Sequence, residues 1–420
     1  MKKMNLLKKS SMLAFGLTAI MALSSCSKEE GCTDPNALNY DPDAEENCCC
    51  AYAPADKDSK NIVVTSNITS NTTWTKDNVY QLGGRITVEA GATLTIQPGT
   101  IIKGEAGTGT NATVLIVARG GKLMAEGTAS EPIIFTSVAD EITSGQIQSP
   151  NLNPDQNGLW GGLIVLGKAP ISIDGDGPET QIEGIPTSDR NGLYGGNNPA
   201  DNSGVLKYIS IRHGGSEIGA GNEINGLTLG GVGSGTVIEN IEVVANQDDG
   251  VEWFGGTVNV SNVVVWNAGD DAIDTDQAWS GTLDNFVVIT PTGHSFELDG
   301  PEGSASGSHT IKNGTVVASG NGRVSEDLIN TDANSEVSLE NIFITGIESG
   351  QVINRTVDNP LVSYTNITLD ILPGTNIEDY IGDATSAPAG IIAGTTGNKA
   401  NVSVFANWSW TSAANQLSGL

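Results

Sequence analysis

Three short stretches carry the residues best able to do chemistry. Asn246-Gln247-Asp248-Asp249-Gly250, Gly269-Asp270-Asp271 and Gly293-His294-Ser295 place an acid or a histidine at one recurring position: Asp249, Asp271 and His294. Three residues further on comes a second column, Glu252, Asp274 and Glu297. In extended backbone Val251, Ile273 and Phe296 face inward and the acids between them face outward, because side chains alternate along a strand. Asp248, Asp270, Asp276 and Asp299 crowd the same edge. Carboxylates this close raise one another's pKa or recruit a cation. Asp248, Asp249, Asp270 and Asp271 are the candidate metal ligands, and hard oxygen donors favour Ca2+. Glu252, Asp274 and Glu297 are the candidate ligand contacts, with Trp266 and Trp279 nearby and suited to stacking on a sugar ring. Asp-Asp-Gly and Gly-Asp-Asp are also ordinary turn sequences, so turn formation, cation binding and catalysis all stay open at this point.

The columns coincide only if the chain repeats itself. Gly235 to Gly300 reads as three versions of one pattern, each opening Gly-Thr, passing through an Asn into alternating aliphatic residues, and breaking at a polar turn. The Asn column is Asn240, Asn262, Asn285, Asn313, Asn341 and Asn366. No sustained helical apolar period is present, and the repeat is too short for a propeller blade. Short β-branched runs with one Asn per turn predict an all-β, right-handed, single-stranded parallel β-helix, its handedness following the usual crossover of parallel strands. Coils stacked at about 4.8 Å would set like residues over like. The six Asn are then expected at the inner bend, each bonded to the next.

The N-terminus predicts export. Lys2, Lys3, Lys8 and Lys9 precede an apolar stretch from Met12 to Leu23, too short to span a bilayer and typical of a signal peptide over residues 1–25. Residues 26–60 form a polar linker and a small Cys-rich acidic unit. That unit has too few apolar side chains for a core, so a disulfide from Cys32 to one of Cys48, Cys49 or Cys50 is the expected staple. Residues 61–420 are the β-helix. Within it Asp140–Gly158 and Asp174–Ser203 read as surface insertions, Tyr208 stands where the ladder Asn would be, and the aromatic run around Trp408 and Trp410 is expected to close the far end. The chain carries a formal charge of −29, which argues against nucleic acid as a partner.

Several stretches resemble known families. Leu23-Ser24-Ser25-Cys26 resembles a bacterial lipobox, which implies acylation of Cys26, and the Ser27-Lys28-Glu29-Glu30 that follows is similar to an acidic signal directing lipoproteins to the outer face of the outer membrane. The segments LIVARGGKLMAEGTASEPIIFTS, NGLYGGNNPADNSGVLKYISIRHGG and NQDDGVEWFGGTVNVSNVVVWNAGDDAIDTDQAW are similar to a group of β-helical, pectin-lyase-like cell-surface lipoproteins of Gram-negative bacteria. That resemblance implies a cell-surface protein, some of whose relatives pair with outer-membrane receptors, and it carries no activity. Taken with the acid and tryptophan positions, the expectation is a non-catalytic binding module on the cell exterior, its ligand a glycan or an outer-membrane receptor. The Asp and His columns also resemble the motifs of polygalacturonase-type glycoside hydrolases. In that alternative Asp271 protonates the leaving oxygen, Asp249 and Asp270 activate water, and His294 supports them. The first motif carries one extra residue, and the basic pair that grips a substrate carboxylate has no counterpart.

Overall fold

Runs such as Val263-Val264-Val265 and Ile342-Phe343-Ile344 form strands because β-branched and aromatic side chains fit a pleated, packed surface. The computed structural model describes residues 60–218, 224–357 and 359–420, with 30–33, 37, 39–44, 46 and 47 of the N-terminal segment. Gly204–Arg212, Val237–Val244, Val260–Trp266, Thr282–Ile289, His309–Val317, Val337–Thr345 and Ser363–Leu369 each pair in parallel with the next, inside a 15-stranded sheet. An 8-stranded parallel sheet takes alternate short strands, among them Leu227–Gly230, Val251–Phe254, Ile273–Asp276 and Phe296–Leu298. The result is a parallel β-helix.

Register makes the core. Ile241, Val263, Phe286, Gly314, Ile342 and Ile367 lie opposite one another on successive coils. Gly314 is small because a Cβ there would meet the Phe286 ring at 2.0 Å. Inside the other sheet Trp253 stacks on Trp279 at 4.8 Å, and Trp279 lies 4.9 Å from His309.

All six ladder asparagines adopt left-handed backbone, φ between 55° and 62°, and Tyr208 takes the same conformation at φ 52°. Left-handed geometry is tolerated by Asn far better than by a branched residue. Asn262 donates to Asn240 at 3.1 Å and Asn285 donates to Asn262 at 2.8 Å. Asn313 turns instead to Asp284, after which Asn341 and Asn366 resume the row. The row is not interior as expected: most of its members are half-buried and Asn366 is exposed, because the left-handed kink turns the amide away from the core.

The C-terminal aromatics are also placed differently from the expectation. Residues 398–420 do not close the far end but run back along the outer face of the large sheet. Phe405, Trp408, Trp410, Ala413 and Leu417 cover Val244, Val264, Trp266, Val287 and Ile289. The segment is pinned by Asn398 donating to Asn341, the Asn401 amide to Asn285, and the Trp410 and Thr411 amides to the Glu242 carboxylate. The first insertion contributes Ile147 to the same cluster. The second covers the outer face of the small sheet, where Ile182, Ile185 and Tyr194, with Ile171 just before it, pack on Ile116, Ile164, Leu166 and Phe254.

In the N-terminal unit, Glu30–Gly31 and Glu46–Asn47 pair in parallel, and Thr33 donates to the Ala413 carbonyl at 3.1 Å. Cys32 is buried and disulfide-bonded. The signal segment, Cys26, Cys48, Cys49 and Cys50 lie outside the described residues.

Asn262→Ala removes two amide bonds and leaves a methyl group at φ 59°. The expected loss is about 1–3 kcal/mol in urea unfolding. Asn262→Gly adopts the same φ without strain and should lose less. An alanine variant as stable as the glycine one would refute the conformational part of this account.

Candidate functional site

The outer edge of the small sheet is acidic because its register repeats acids. Thr228, Glu252, Asp274, Glu297 and Asn330 are successive partners across five strands. Asp249, Asp271 and His294 sit three residues earlier on the turns that feed these strands. Hydrogen bonds link them from coil to coil: the Asp271 amide donates to the Asp249 carboxylate at 2.9 Å, and the His294 amide donates to the Asp271 carboxylate.

One group is organised around Asp271. The His294 ring nitrogen Nδ1 lies 3.0 Å from Asp271 Oδ1, the Asn330 amide is 3.0 Å from Nε2, and Asp327 is 4.0 Å from it. Burial alone would raise the Asp271 pKa, but bonds from His294 and Glu297 outweigh it and hold the acid below its ordinary value. Burial would lower His294, yet the Asp271 bond and charge lift it to about 9. Glu297 is pushed up to about 8 by burial and by its hydrogen bond to Asp271. Asp271 is thus flanked by a His294 ring and a Glu297 carboxyl that are both pushed toward their protonated forms.

A second group contains no cation. Carboxylate oxygens of Asp249, Glu252 and Asp274 lie within 4.8 Å of one another. Glu252 accepts from the Asn225 amide. Burial raises all three acids well above the ordinary range, reinforced at Asp249 by Asp274, at Glu252 by Asp249, and at Asp274 by Glu252 and Glu297. Asp248, Asp249 and Asp270 form a further group within 4.8 Å, at the more exposed edge. Of the expected metal ligands, Asp271 stands apart from the other three because His294 and Glu297 already engage it.

A cleft of about 500 Å³ opens between this row and the second insertion. Its walls include Glu183, Glu252, Asp274, Asp276, Asp299 and Glu302, with Phe254 and Tyr194 as apolar surface. Tyr194 is fixed by donating to Gln277 at 2.8 Å. Asp276 is raised to about 7 by burial and Glu302, and Asp299 to about 6 by burial and Asp332.

The expected contacts Glu252, Asp274 and Glu297 are therefore brought together, and the two tryptophans are not among them. Trp279 is 1 % exposed, stacked inside the coil with its indole nitrogen donating to Val258. Trp266 is 4 % exposed beneath Trp410. Neither offers a face to a sugar. The shifts also run opposite to the hydrolase roles: Asp271, cast as the acid, is held below its ordinary value by His294 and Glu297, and Asp249, cast as a base, is pushed well above its own by burial and Asp274. Glu183, Glu302 and Asn225 escaped sequence reading because they sit off the repeat, in the insertion, a loop and a coil whose partner acid is 27 residues away.

These shifts set a sign for stability against pH. Asp276, Asp299 and Glu297 keep protons in the folded state that the unfolded chain releases above about pH 4. His294 likewise holds its proton above its unfolded value. Folding is therefore favoured at low pH and loses stability as pH rises through the folded values of about 6, 7, 8 and 9. Asp271 opposes this only below its ordinary range. With a chelator present, the melting temperature should fall between pH 5 and pH 9, and Asp276→Asn should flatten the slope. A flat or rising profile would contradict the assigned protonation states.

No curated protein and no solved structure matches the chain. The family model described as a pectate-lyase-like β-helix domain matches residues 66–413, nearly the whole of the coiled region with its insertions and most of the returning C-terminal segment. On that match the chain belongs to the pectate-lyase-like β-helix domain family.

Proposed function

We propose that the protein is a non-catalytic binding module, lipid-anchored through Cys26 to the outer face of the outer membrane, whose cleft takes a cationic ligand. The observation that carries this reading is the cleft wall itself: Glu252, Asp274, Asp276, Asp299 and Glu302 line one opening, with Glu183 from the insertion. Such a site matches a positively charged group, and a glycan that fits it bears amino groups. An acidic polysaccharide would be repelled by a chain of formal charge −29. The opposite shifts of Asp249 and Asp271 weigh against the glycoside hydrolase roles assigned to them. Among the described residues no helix is long and apolar enough to cross a membrane, so attachment in this reading depends on the lipid.

Calorimetry with glucosamine oligomers, their N-acetylated counterparts and galacturonate oligomers tests the cleft. Glucosamine oligomers should bind preferentially, and Asp276→Asn combined with Glu302→Gln should weaken them by at least about tenfold, the scale of one charge-assisted hydrogen bond. Preference for galacturonate would overturn the proposal. The anchor is tested separately: Cys26→Ser should abolish palmitate labelling and release the protein from the outer-membrane fraction. Unchanged labelling would remove the anchor from the account.

A further inference from the structure

We propose that the large sheet, on the side that precedes the left-handed corner, docks face to face with the same surface of a second copy of this chain, the two related by a twofold axis parallel to the strands. This interface lies away from the cleft and rests on neither the ligand nor the anchor proposed above.

The corner divides the outer surface of the large sheet. Beyond it, the returning C-terminal segment covers the apolar stripe. Before it, Val205, Val237, Asn259, Thr282, Thr310 and Ser338 make one outward column on six successive coils, and Lys207, Glu239, Ser261, Asp284, Lys312 and Glu340 make a second, two residues further along. All twelve are half-buried or exposed and alternate with core residues such as Ile238, Leu283 and Ile311. None belongs to the clusters covered by the returning segment or the second insertion. That insertion meets the rim, where Pro199 accepts from Ser234 and Thr257.

Charge sets this surface apart. With a formal charge of −29, copies of the chain repel one another over most of their exterior. The first column carries no charge, and the second sets two lysines among three acids. Lys207 pairs with Glu239 at 3.2 Å and Lys312 with Asp284 at 3.5 Å within the chain. Glu340 accepts from Ser338 at 3.0 Å and, among the described residues, forms no ion pair.

The order of charges in the second column is its own complement. A turn about an axis parallel to the strands keeps each column opposite itself and reverses the order of the coils. With the axis between the coils of Ser261 and Asp284, Lys207 meets Glu340 of the second copy, Glu239 meets Lys312, and Ser261 meets Asp284. Glu340 thereby gains a lysine. The uncharged column meets itself, Val237 against Thr310 and Asn259 against Thr282. Neighbouring registers are excluded by repulsion: an axis on the coil of Ser261 sets Lys207 against Lys312, and one on the coil of Asp284 sets Glu239 against Glu340. Six coils span about 24 Å at their usual spacing, and two columns of that length bury less than the roughly 1,200 Å² of a stable interface, so the pairing is weak and concentration-dependent.

The test is sedimentation velocity on the full chain at physiological ionic strength, where distant charges are screened and contact pairs persist. The parent should dimerise as its concentration rises. Glu239→Lys alone and Lys312→Glu alone each set like charges face to face and should weaken dimerisation at least about tenfold. An equimolar mixture of the two variants should associate again, because each substituted position then faces an opposite charge on the other variant. Contacts inside one chain cannot produce that restoration. Lys207→Glu with Glu340→Lys should behave in the same way, and stands in if melting shows either of the first variants unfolded. A parent that stays monomeric up to about 1 mM overturns the proposal. So do single variants that dimerise like the parent, which would place the contact elsewhere, and a mixture that associates no better than its components.

Discussion

A solenoid keeps its shape only if every coil turns at the same height as the one beneath it. Here that constraint falls on a left-handed corner, occupied in turn by Tyr208, Asn240, Asn262, Asn285, Asn313, Asn341 and Asn366. Each corner lets one long strand bend without losing register, so that Ile238 and Ile241, three residues apart, both face the core. The amide bonds between corners then hold the register that the bend makes possible. Asn313 shows that the conformation matters more than the particular partner, since its amide bonds Asp284 while φ stays at 61°.

Stacking makes neighbours of residues that are remote in sequence, and it does so whatever their charge. Glu252, Asp274 and Glu297 repel one another because the register that aligns Val251, Ile273 and Phe296 in the core aligns them as well. The core gains far more from that register than the acids lose, as burial of each large apolar side chain contributes about 1.5–3 kcal/mol. Proton uptake, an imidazolium and short contacts between acids are how the edge lives with a geometry set elsewhere.

This division explains what the sequence disclosed. The ladder, the strand register and the acid columns repeat with the coil, so periodicity alone located them, including Tyr208 at a corner without an Asn. The burial of Trp266 could not be read in the same way. Its outward direction on Val260–Trp266 was legible, but its cover is Trp410, more than a hundred residues later. The same holds for Glu242, which occupies an outward position and yet is fully buried. Its carboxylate accepts from Ser210 and from the backbone of Trp410 and Thr411, with Arg212 at 3.7 Å. Nothing local in residues 398–420 specifies which face of the helix they return to, so the expectation of an end cap was reasonable from composition and wrong in place.

The returning segment also accounts for where the open site lies. Val244, Val264, Trp266, Val287 and Ile289 make an apolar outer stripe that water would not tolerate, and the C-terminal residues cover it. Ile116, Ile164, Leu166 and Phe254 make a second stripe, covered by the insertion that carries Tyr194. On later coils the positions in register with Phe254 change from apolar to acidic, beginning at Asp276. The insertion has no apolar stripe to follow there and meets the later coil through a polar contact, the Ser304 amide donating to Asp176 at 2.7 Å. The cleft opens where the covered stripe gives way to carboxylates, so the change of residue type along a single column both ends the cover and supplies the charge that lines the opening.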